Sequence, residues 1–314
     1  MERRILGSSG VVVSRLCFGS LTIGPLQRNK TPQEGGRLLI YALQKGILFF
    51  DTAEIYGTYP HIRIMLGECP DAVIATKTYA YDWVTAEESF SKAVYGLGRE
   101  YVDIFLLHEQ ESIHTIRGHW EALEYLIRKK EQGFIGAVGI STHSVEAARA
   151  ALRFPEIDIV HPLINIRGIG ITGGIREDME KAIASLGTAG RGVYVMKALG
   201  GGHLIGERKE ALAWAMGLAG VQSVAVGMQS EAEIDYNVSI FEGREPSKEI
   251  ESAVGRAVRR LHVQDWCIGC GRCAETCRAG AIRIIESKAV PDMKKCSLCG
   301  YCAAVCPDFC IKVL

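Results

Sequence analysis

What the 314-residue sequence lacks narrows its function first. It has no surplus of charge of either sign, with 36 Lys and Arg against 36 Asp and Glu. The basic excess that drives counterion release is therefore missing, and no nucleic-acid partner is expected. There is no run of about 18 uninterrupted apolar residues, so neither a spanning helix nor a membrane partner is expected. The opening Met1-Glu2-Arg3-Arg4-Ile5-Leu6-Gly7 has no apolar leader core, which makes a cytoplasmic location the expectation. Cysteine is scarce over most of the chain, with only Cys17 and Cys69 in the first 266 residues. The other nine of the 11 fall in the last 48 residues, and that asymmetry divides the chain into two parts of different chemistry.

Within the cysteine-rich part the spacing repeats. Cys267-x2-Cys270-x2-Cys273-x3-Cys277 is followed by Cys296-x2-Cys299-x2-Cys302-x3-Cys306-Pro307, displaced by 29 residues. Three thiolates at three-residue intervals can meet three irons of a cubane, and a fourth must come from elsewhere. The run resembles the bacterial two-cluster ferredoxins, in which each fourth cysteine serves the other cluster. That resemblance implies one [4Fe-4S] cluster on Cys267, Cys270, Cys273 and Cys306 and a second on Cys296, Cys299, Cys302 and Cys277. Gly271 and Gly300 suit the tight turns that aim backbone N–H groups at the sulfides. Arg278 stands where the second motif has Pro307, a departure that removes no ligand. Disulfides would need an oxidising compartment, and zinc usually takes separated Cys-x2-Cys knuckles. Cys310, Cys17 and Cys69 read as small core residues.

Before the cysteines, apolar and amphipathic segments alternate. A short hairpin with a glycine turn opens the chain. Eight candidate strands follow at 16–19, 47–51, 72–76, 102–107, 135–140, 157–160, 193–196 and 223–226. Helical patterns separate most of them, at 36–45, 87–97, 120–132, 145–153, 176–186 and 209–218. This alternation predicts an α/β fold, a (β/α)8 TIM barrel with an N-terminal β-hairpin, plus a small C-terminal ferredoxin-like iron–sulfur domain. A doubly wound sheet would carry Gly-x-Gly-x-x-Gly after its first strand, and Gly19-Ser20-Leu21-Thr22-Ile23-Gly24 does not fit. The expected domains are residues 1–243, a linker helix within 244–262 and the cluster domain 263–314. Ile250, Val254, Ala257, Val258 and Leu261 share one face of that helix, expected from Ser247 to about 261, so it should dock the cluster domain on the barrel.

Barrel chemistry sits at the carboxyl ends of the strands. There the sequence has Asp51 with Tyr56 just beyond, then Ala75-Thr76-Lys77, then Leu106-Leu107-His108. In these residues the chain resembles the aldo-keto reductases. The resemblance implies a catalytic tetrad of Asp51, Tyr56, Lys77 and His108 acting on a small-molecule carbonyl-type substrate. Tyr56 would protonate the carbonyl oxygen, Lys77 would lower its pKa, Asp51 would hold Lys77, and His108 would orient the carbonyl.

Cofactor contacts match the family less well. Ser141 is followed by Thr142 rather than Asn, Met196 and Lys197 stand where an aromatic ring commonly stacks, and Glu233 replaces an arginine that grips a 2′-phosphate. No basic residue lies between Gly227 and Gly243. Asn165, the glycines Gly200 and Gly201, and Gly227, Ser230 and Asn237 complete the cofactor contacts expected. NAD(H), NADP(H) and a flavin all remain open, because a hydride carrier and one-electron clusters need a converter and flavin serves both modes. From residue 263 onward seven basic and five acidic residues give +2, and two oxidised cubanes would bring the total to about −2. A domain so weakly acidic suits electron transfer within the chain, while a redox partner protein is the other route. The leading expectation is an iron–sulfur oxidoreductase coupling two-electron chemistry in the barrel to one-electron transfer through two clusters. A plain NAD(P)H-dependent carbonyl reductase with structural clusters, and a nucleotide-binding redox sensor or electron-transfer module, are the alternatives.

Overall fold

A computed structural model describes residues 1–256 and 258–314. Strands β1 (Arg3–Ile5) and β2 (Val12–Ser14) pair antiparallel. This hairpin plugs the amino end of the barrel: Leu6 and Val13 are fully buried among Phe49, Ile104, Ile159 and Tyr194. Gly7 is required there, since a Cβ on it would lie 2.3 Å from the backbone nitrogen of Gly192.

The chain then runs through β3 (Leu16–Gly19), α1 (Pro32–Gln44), β4 (Phe49–Asp51), α2 (Tyr59–Glu68), β5 (Val73–Thr78), α3 (Trp83–Leu97) and β6 (Val102–Leu107). It continues through α4 (Ile113–Gly118), α5 (Trp120–Glu131), β7 (Ile135–Thr142), α6 (Val145–Ala150), β8 (Ile159–Pro162) and α7 (Arg176–Thr188). Next come β9 (Gly192–Met196), α8 (Arg208–Gly217), β10 (Ser223–Gly227) and α9 (Glu231–Phe241). The eight strands β3 to β10 are parallel, and β10 pairs with β3 to close the barrel. Alternate strand side chains face the helix layer, where Phe18, Phe50, Phe105 and Val138 are fully buried. With the hairpin filling one end, the carboxyl mouth is left for function.

Three barrel helices escape the helical patterns of the sequence: α2, the six-residue α4 and α9. Pro60 in α2 reads as a breaker, yet it falls in the first turn, where its missing N–H costs nothing. Eight of the eleven residues of α9 are buried, so no polar face marks it, and its start is fixed by the Ser230 hydroxyl capping Glu233 N.

The expected linker helix is shorter than its pattern. Helix α10 (Lys248–Gly255) ends at a poor helix former, and residues 261–263 instead form β11 (Leu261–Val263). Val258, expected on the docking face, is 86% exposed, and Ala257 lies outside the described residues. Strand pairing is the competing force: β11 is antiparallel to β14 (Ile311–Val313), with Leu261 opposite Val313. Between them lie α11 (Arg272–Thr276), the hairpin β12 (Ile282–Ile285) and β13 (Lys288–Pro291), and α12 (Tyr301–Ala304). Barrel residues Leu163, Ile169, Met196 and Leu204 form one apolar cluster with Leu261, Phe309, Ile311 and Val313. The cysteine-rich part is thereby seated across the barrel mouth. No helix among the described residues is long and apolar enough to cross a membrane.

Candidate active site

Asp51 ends β4, Lys77 lies in β5 and His108 follows β6, so parallel pairing brings three successive strand ends together. Lys77 Nζ donates to Asp51 Oδ1 at 2.7 Å and to the Thr52 carbonyl at 2.7 Å. The second carboxylate oxygen accepts from Tyr194 Oη at 2.9 Å. His161 stacks on Tyr194 with centroids 3.8 Å apart, and its Nδ1 lies 2.6 Å from the Tyr194 carbonyl. Tyr194 and His161 are positioning residues that the sequence reading missed. Their inward strand positions in β9 and β8 offered only the signal of a polar group on a buried strand.

Tyr56 Oη is 3.5 Å from His108 Nε2, and the His108 ring stacks on Tyr79 at 4.6 Å. Burial, then the Lys77 and Lys197 charges, holds His108 well below the usual imidazole range, so it is neutral. The expected lowering of the Tyr56 pKa is not found. Burial first, then the Asp51 and Glu109 carboxylates, pushes the phenol well above its ordinary value. The reason is geometric, since Lys77 spends its donors on Asp51 and Thr52 and lies 4.9 Å from the centroid of the Tyr56 ring. Tyr56 therefore keeps its proton, and it can pass that proton only to an oxygen that becomes more basic than the buried phenolate.

Two cavities meet at this group. The narrower, about 160 Å³, is lined by Tyr56, Met196, Lys197, Gly201, Gly227 and Asn237 among the expected residues, with Asp51 and His161 behind them. Five other expected contacts do not face it. Ser141 Oγ accepts from Glu109 N, Thr142 Oγ1 accepts from Ser144 N, and Ser230 caps α9. Asn165 spends its amide on Ile169 O, Ile169 N and Arg167 N, closing its own loop. Gly200 packs on Leu204.

The glycine run that includes the expected contacts Gly200 and Gly201 meets the chain's own strand β14. A Cβ on Gly202 would lie 2.1 Å from Val313 O, and one on Gly201 would lie 3.0 Å from Phe309 and Lys312. Positive charge nevertheless reaches this cavity. Arg208 and Arg259 line it, Arg259 pairs with Glu233 at 2.6 Å, and Arg28 donates to Gln229 at 2.7 Å. These arginines come from three distant segments, which is why the stretch 227–243 reads as empty of them. The donor set suits a phosphate. Five of the ten expected cofactor contacts, Met196, Lys197, Gly201, Gly227 and Asn237, thus line this cavity, while the other five are held by the chain's own atoms.

The wider cavity, about 530 Å³, has Tyr56, Tyr79 and His108 on one wall. Its other wall is Gln264, Trp266, Ile268, Pro307, Asp308, Phe309 and Lys312 from the cysteine-rich part. Trp266 and Phe309 thus line the junction between the two parts. Tyr301 is 63% exposed.

Cys267, Cys270, Cys273 and Cys306 line one small cavity, bringing the fourth cysteine of the second motif to three of the first. Cys310 lines it too and is buried. In the other half, burial and then Cys296 and Cys299 push the Cys302 thiol up to about 12, and α11, which ends beside Cys277, packs on α12. Backbone donors aim at sulfur in both halves, Ala281 N to Cys277 Sγ at 3.3 Å and Cys310 N to Cys306 Sγ at 3.2 Å. The backbone repeats with the 29-residue offset. Gly269 and Leu298, Gly271 and Gly300, and Gly280 and Phe309 all have positive φ, at 65° and 56°, 85° and 83°, and 55° and 46°. Four thiols around one cavity, N–H donors to sulfur and left-handed turns fit a cubane held by thiolates.

Comparisons agree with both halves. The model for the aldo/keto reductase family matches residues 15–210, and that for a 4Fe-4S dicluster domain matches 266–310. A component of the ion-translocating oxidoreductase complex of Methanosarcina acetivorans is 49% identical over 47 residues, 15% of this chain and 18% of its own length. The NADPH-dependent alpha-keto amide reductase of Saccharomyces cerevisiae is 29% identical over 131 residues, 38% of this chain and 41% of the other. A probable aldo-keto reductase of Glycine max is 26% identical, covering 64% of this chain and 60% of the other. The chain thus spans less than two thirds of each of these curated relatives. Among solved structures, a putative aldo-keto reductase from Pseudomonas aeruginosa superposes with TM-score 0.67 at 24% identity, over 77% of this chain and 95% of the other. The holo form of an aldo-keto reductase from Bacillus halodurans gives 0.65 at 20% identity, over 82% and 96%. These two likenesses show the fold.

Proposed function

The chain belongs to the aldo/keto reductase family and carries a 4Fe-4S dicluster domain, and on that premise we propose an iron–sulfur oxidoreductase that couples carbonyl reduction or oxidation to its clusters. The observation that carries this reading is the shared cavity. Tyr56 and His108 form one wall, and the facing wall is made by the residues next to Cys267 and Cys306. A purely structural iron–sulfur domain has no need to line the reaction site.

Reducing a carbonyl to an alcohol takes two electrons and two protons. Tyr56 is the donor of the proton on oxygen, and neutral His108, 3.5 Å away, orients that oxygen. Asp51 fixes Lys77 beneath the Tyr56 ring, and Tyr194 fixes Asp51. The cluster domain excludes water by covering the mouth. When bound, a nicotinamide nucleotide supplies hydride, each cluster a single electron, and a flavin accepts either mode. Arg208 and Arg259 favour a phosphate-bearing cofactor, and the occupied glycine run argues against the ordinary dinucleotide pose. The tetrad, the cluster ligands and the domain limits given by the sequence are part of this reading.

The test is anaerobic mixing of holoprotein with NADPH or NADH while the visible absorption of the clusters is followed. Coupling predicts bleaching of that band. Steady aldehyde reduction that is unchanged after cluster removal, with no bleaching, would identify a plain carbonyl reductase instead. Extraction after denaturation shows whether a flavin is present.

A further inference from the structure

We propose that the cavity between barrel and cluster domain binds its carbonyl substrate through a carboxylate, seated between Lys197 and Lys312. This deepens the function proposed above by naming a substrate class, a small 2-oxo acid with an apolar or aromatic body.

The two lysines come from different parts of the chain and meet over one ring. Lys197 Nζ lies 4.8 Å from the Phe309 centroid and Lys312 Nζ lies 3.1 Å from it. Lys312 is only 5% exposed, and its ammonium donates to the Phe309 carbonyl. Lys197 donates to His143 Nε2 at 3.0 Å. Among the described residues neither ammonium has a carboxylate within 4.0 Å. Burial, and then the Lys197 charge, pulls Lys312 well below the ordinary ammonium range, and an anion seated between the two lysines would hold both of them charged. Burial draws Lys197 down to about 8, as expected for an ammonium that lacks one.

Backbone strain points to the same place. Lys197 has φ 59° and Glu109 has φ 49°, a left-handed backbone that is unfavourable for a residue with a Cβ. Such strain gathers where a side chain must be aimed. Glu109 is the carboxylate whose charge reaches both lysines, and Tyr79 Oη already donates to it at 2.5 Å.

Position links the pair to the chemistry. Lys197, Lys312 and Tyr56 each line both cavities, so an anion at the junction leaves an adjacent oxo group facing Tyr56 and His108. Tyr79, Trp266, Ile268 and Phe309 supply the apolar surface for the remainder. Two other sources of negative charge compete for these lysines. One is a nucleotide phosphate in the narrow cavity, and the other is a cluster beside Cys306.

Calorimetric titration of anaerobic holoprotein with benzoylformate and its neutral methyl ester separates the cases and requires no turnover. Failure of the coupling experiment above therefore leaves this one readable. The acid should bind at least about ten-fold more tightly than the ester, as one charge-assisted contact implies. Lys197→Met and Lys312→Met should each weaken the acid by about ten-fold or more and leave the ester unchanged, while Lys197→Arg retains acid binding. Equal affinity for acid and ester overturns the proposal, and so does equal loss of both probes in Lys197→Met and Lys197→Arg. Displacement of the acid by NADPH one for one also overturns it, assigning the lysines to a nucleotide phosphate. An unchanged acid affinity in both methionine variants overturns it as well, leaving Lys312 as the partner of the cluster charge.

Discussion

At the residue scale the proposed tetrad is layered, with Tyr56 and His108 on the wall of the wider cavity and Lys77 held beneath the Tyr56 ring by Asp51. Tyr56→Phe should lower carbonyl turnover by roughly 10²- to 10⁴-fold, the usual worth of a positioned acid, with ligand binding retained; steady-state kinetics and calorimetry check both. Tyr194→Phe removes one hydrogen bond to buried Asp51 and should lower kcat several-fold with KM unchanged, at about 1 kcal/mol in stability. Burial draws His161 from 6.5 to about 4, so between those values the unfolded chain holds more protons. Stability should therefore fall as pH drops through that window, with His108 and His143 acting in the same direction. Urea unfolding across the window, compared with His161→Gln, isolates the contribution of His161. The four residues of the proposed tetrad were legible because each lies at or just beyond the carboxyl end of a strand. Tyr194, His161 and the arginines were not, because their importance comes from neighbours far away in sequence.

At the element scale the barrel strands were readable from short apolar runs, whereas α2 and α9 were hidden by a first-turn proline and by burial on nearly all sides. The short helix α10 shows a local pattern yielding to a distant partner, since Leu261 pairs with Val313 rather than extending the helix. Strand β14 is the element on which the assembly turns, being bound to β11 on one edge and pressed on Gly202. Gly202→Ala places a methyl 2.1 Å from Val313 O at a φ of 95°. The variant should release β14 from the barrel at a cost of more than about 2 kcal/mol, since clash and strain add. Hydrogen exchange would show faster exchange in residues 309–314, with the barrel strands unchanged.

For the whole molecule, composition and cysteine spacing revealed two parts, but nothing in either part announced that they share a cavity. Docking depends on side chains such as Phe309 and Lys312, whose partners lie more than a hundred residues away. Crossed ligation is tested by paired variants. Cys267→Ser with Cys306→Ser should cost only one cluster, leaving about half the iron, whereas Cys267→Ser with Cys277→Ser should cost both. The 29-residue backbone repeat carries a further meaning. Two halves that share left-handed turns at three matched positions have the form of a duplicated unit, and they differ at the first, Gly269 against Leu298, and at the third. One copy keeps Gly280, the residue that fits the turn without penalty, while the other holds Phe309 at φ 46°. The ring that both lysines face thus stands at one of two positions where the second half holds a side chain in a turn that the first half gives to glycine, and it is the one packed on Gly170 and Gly201 of the barrel.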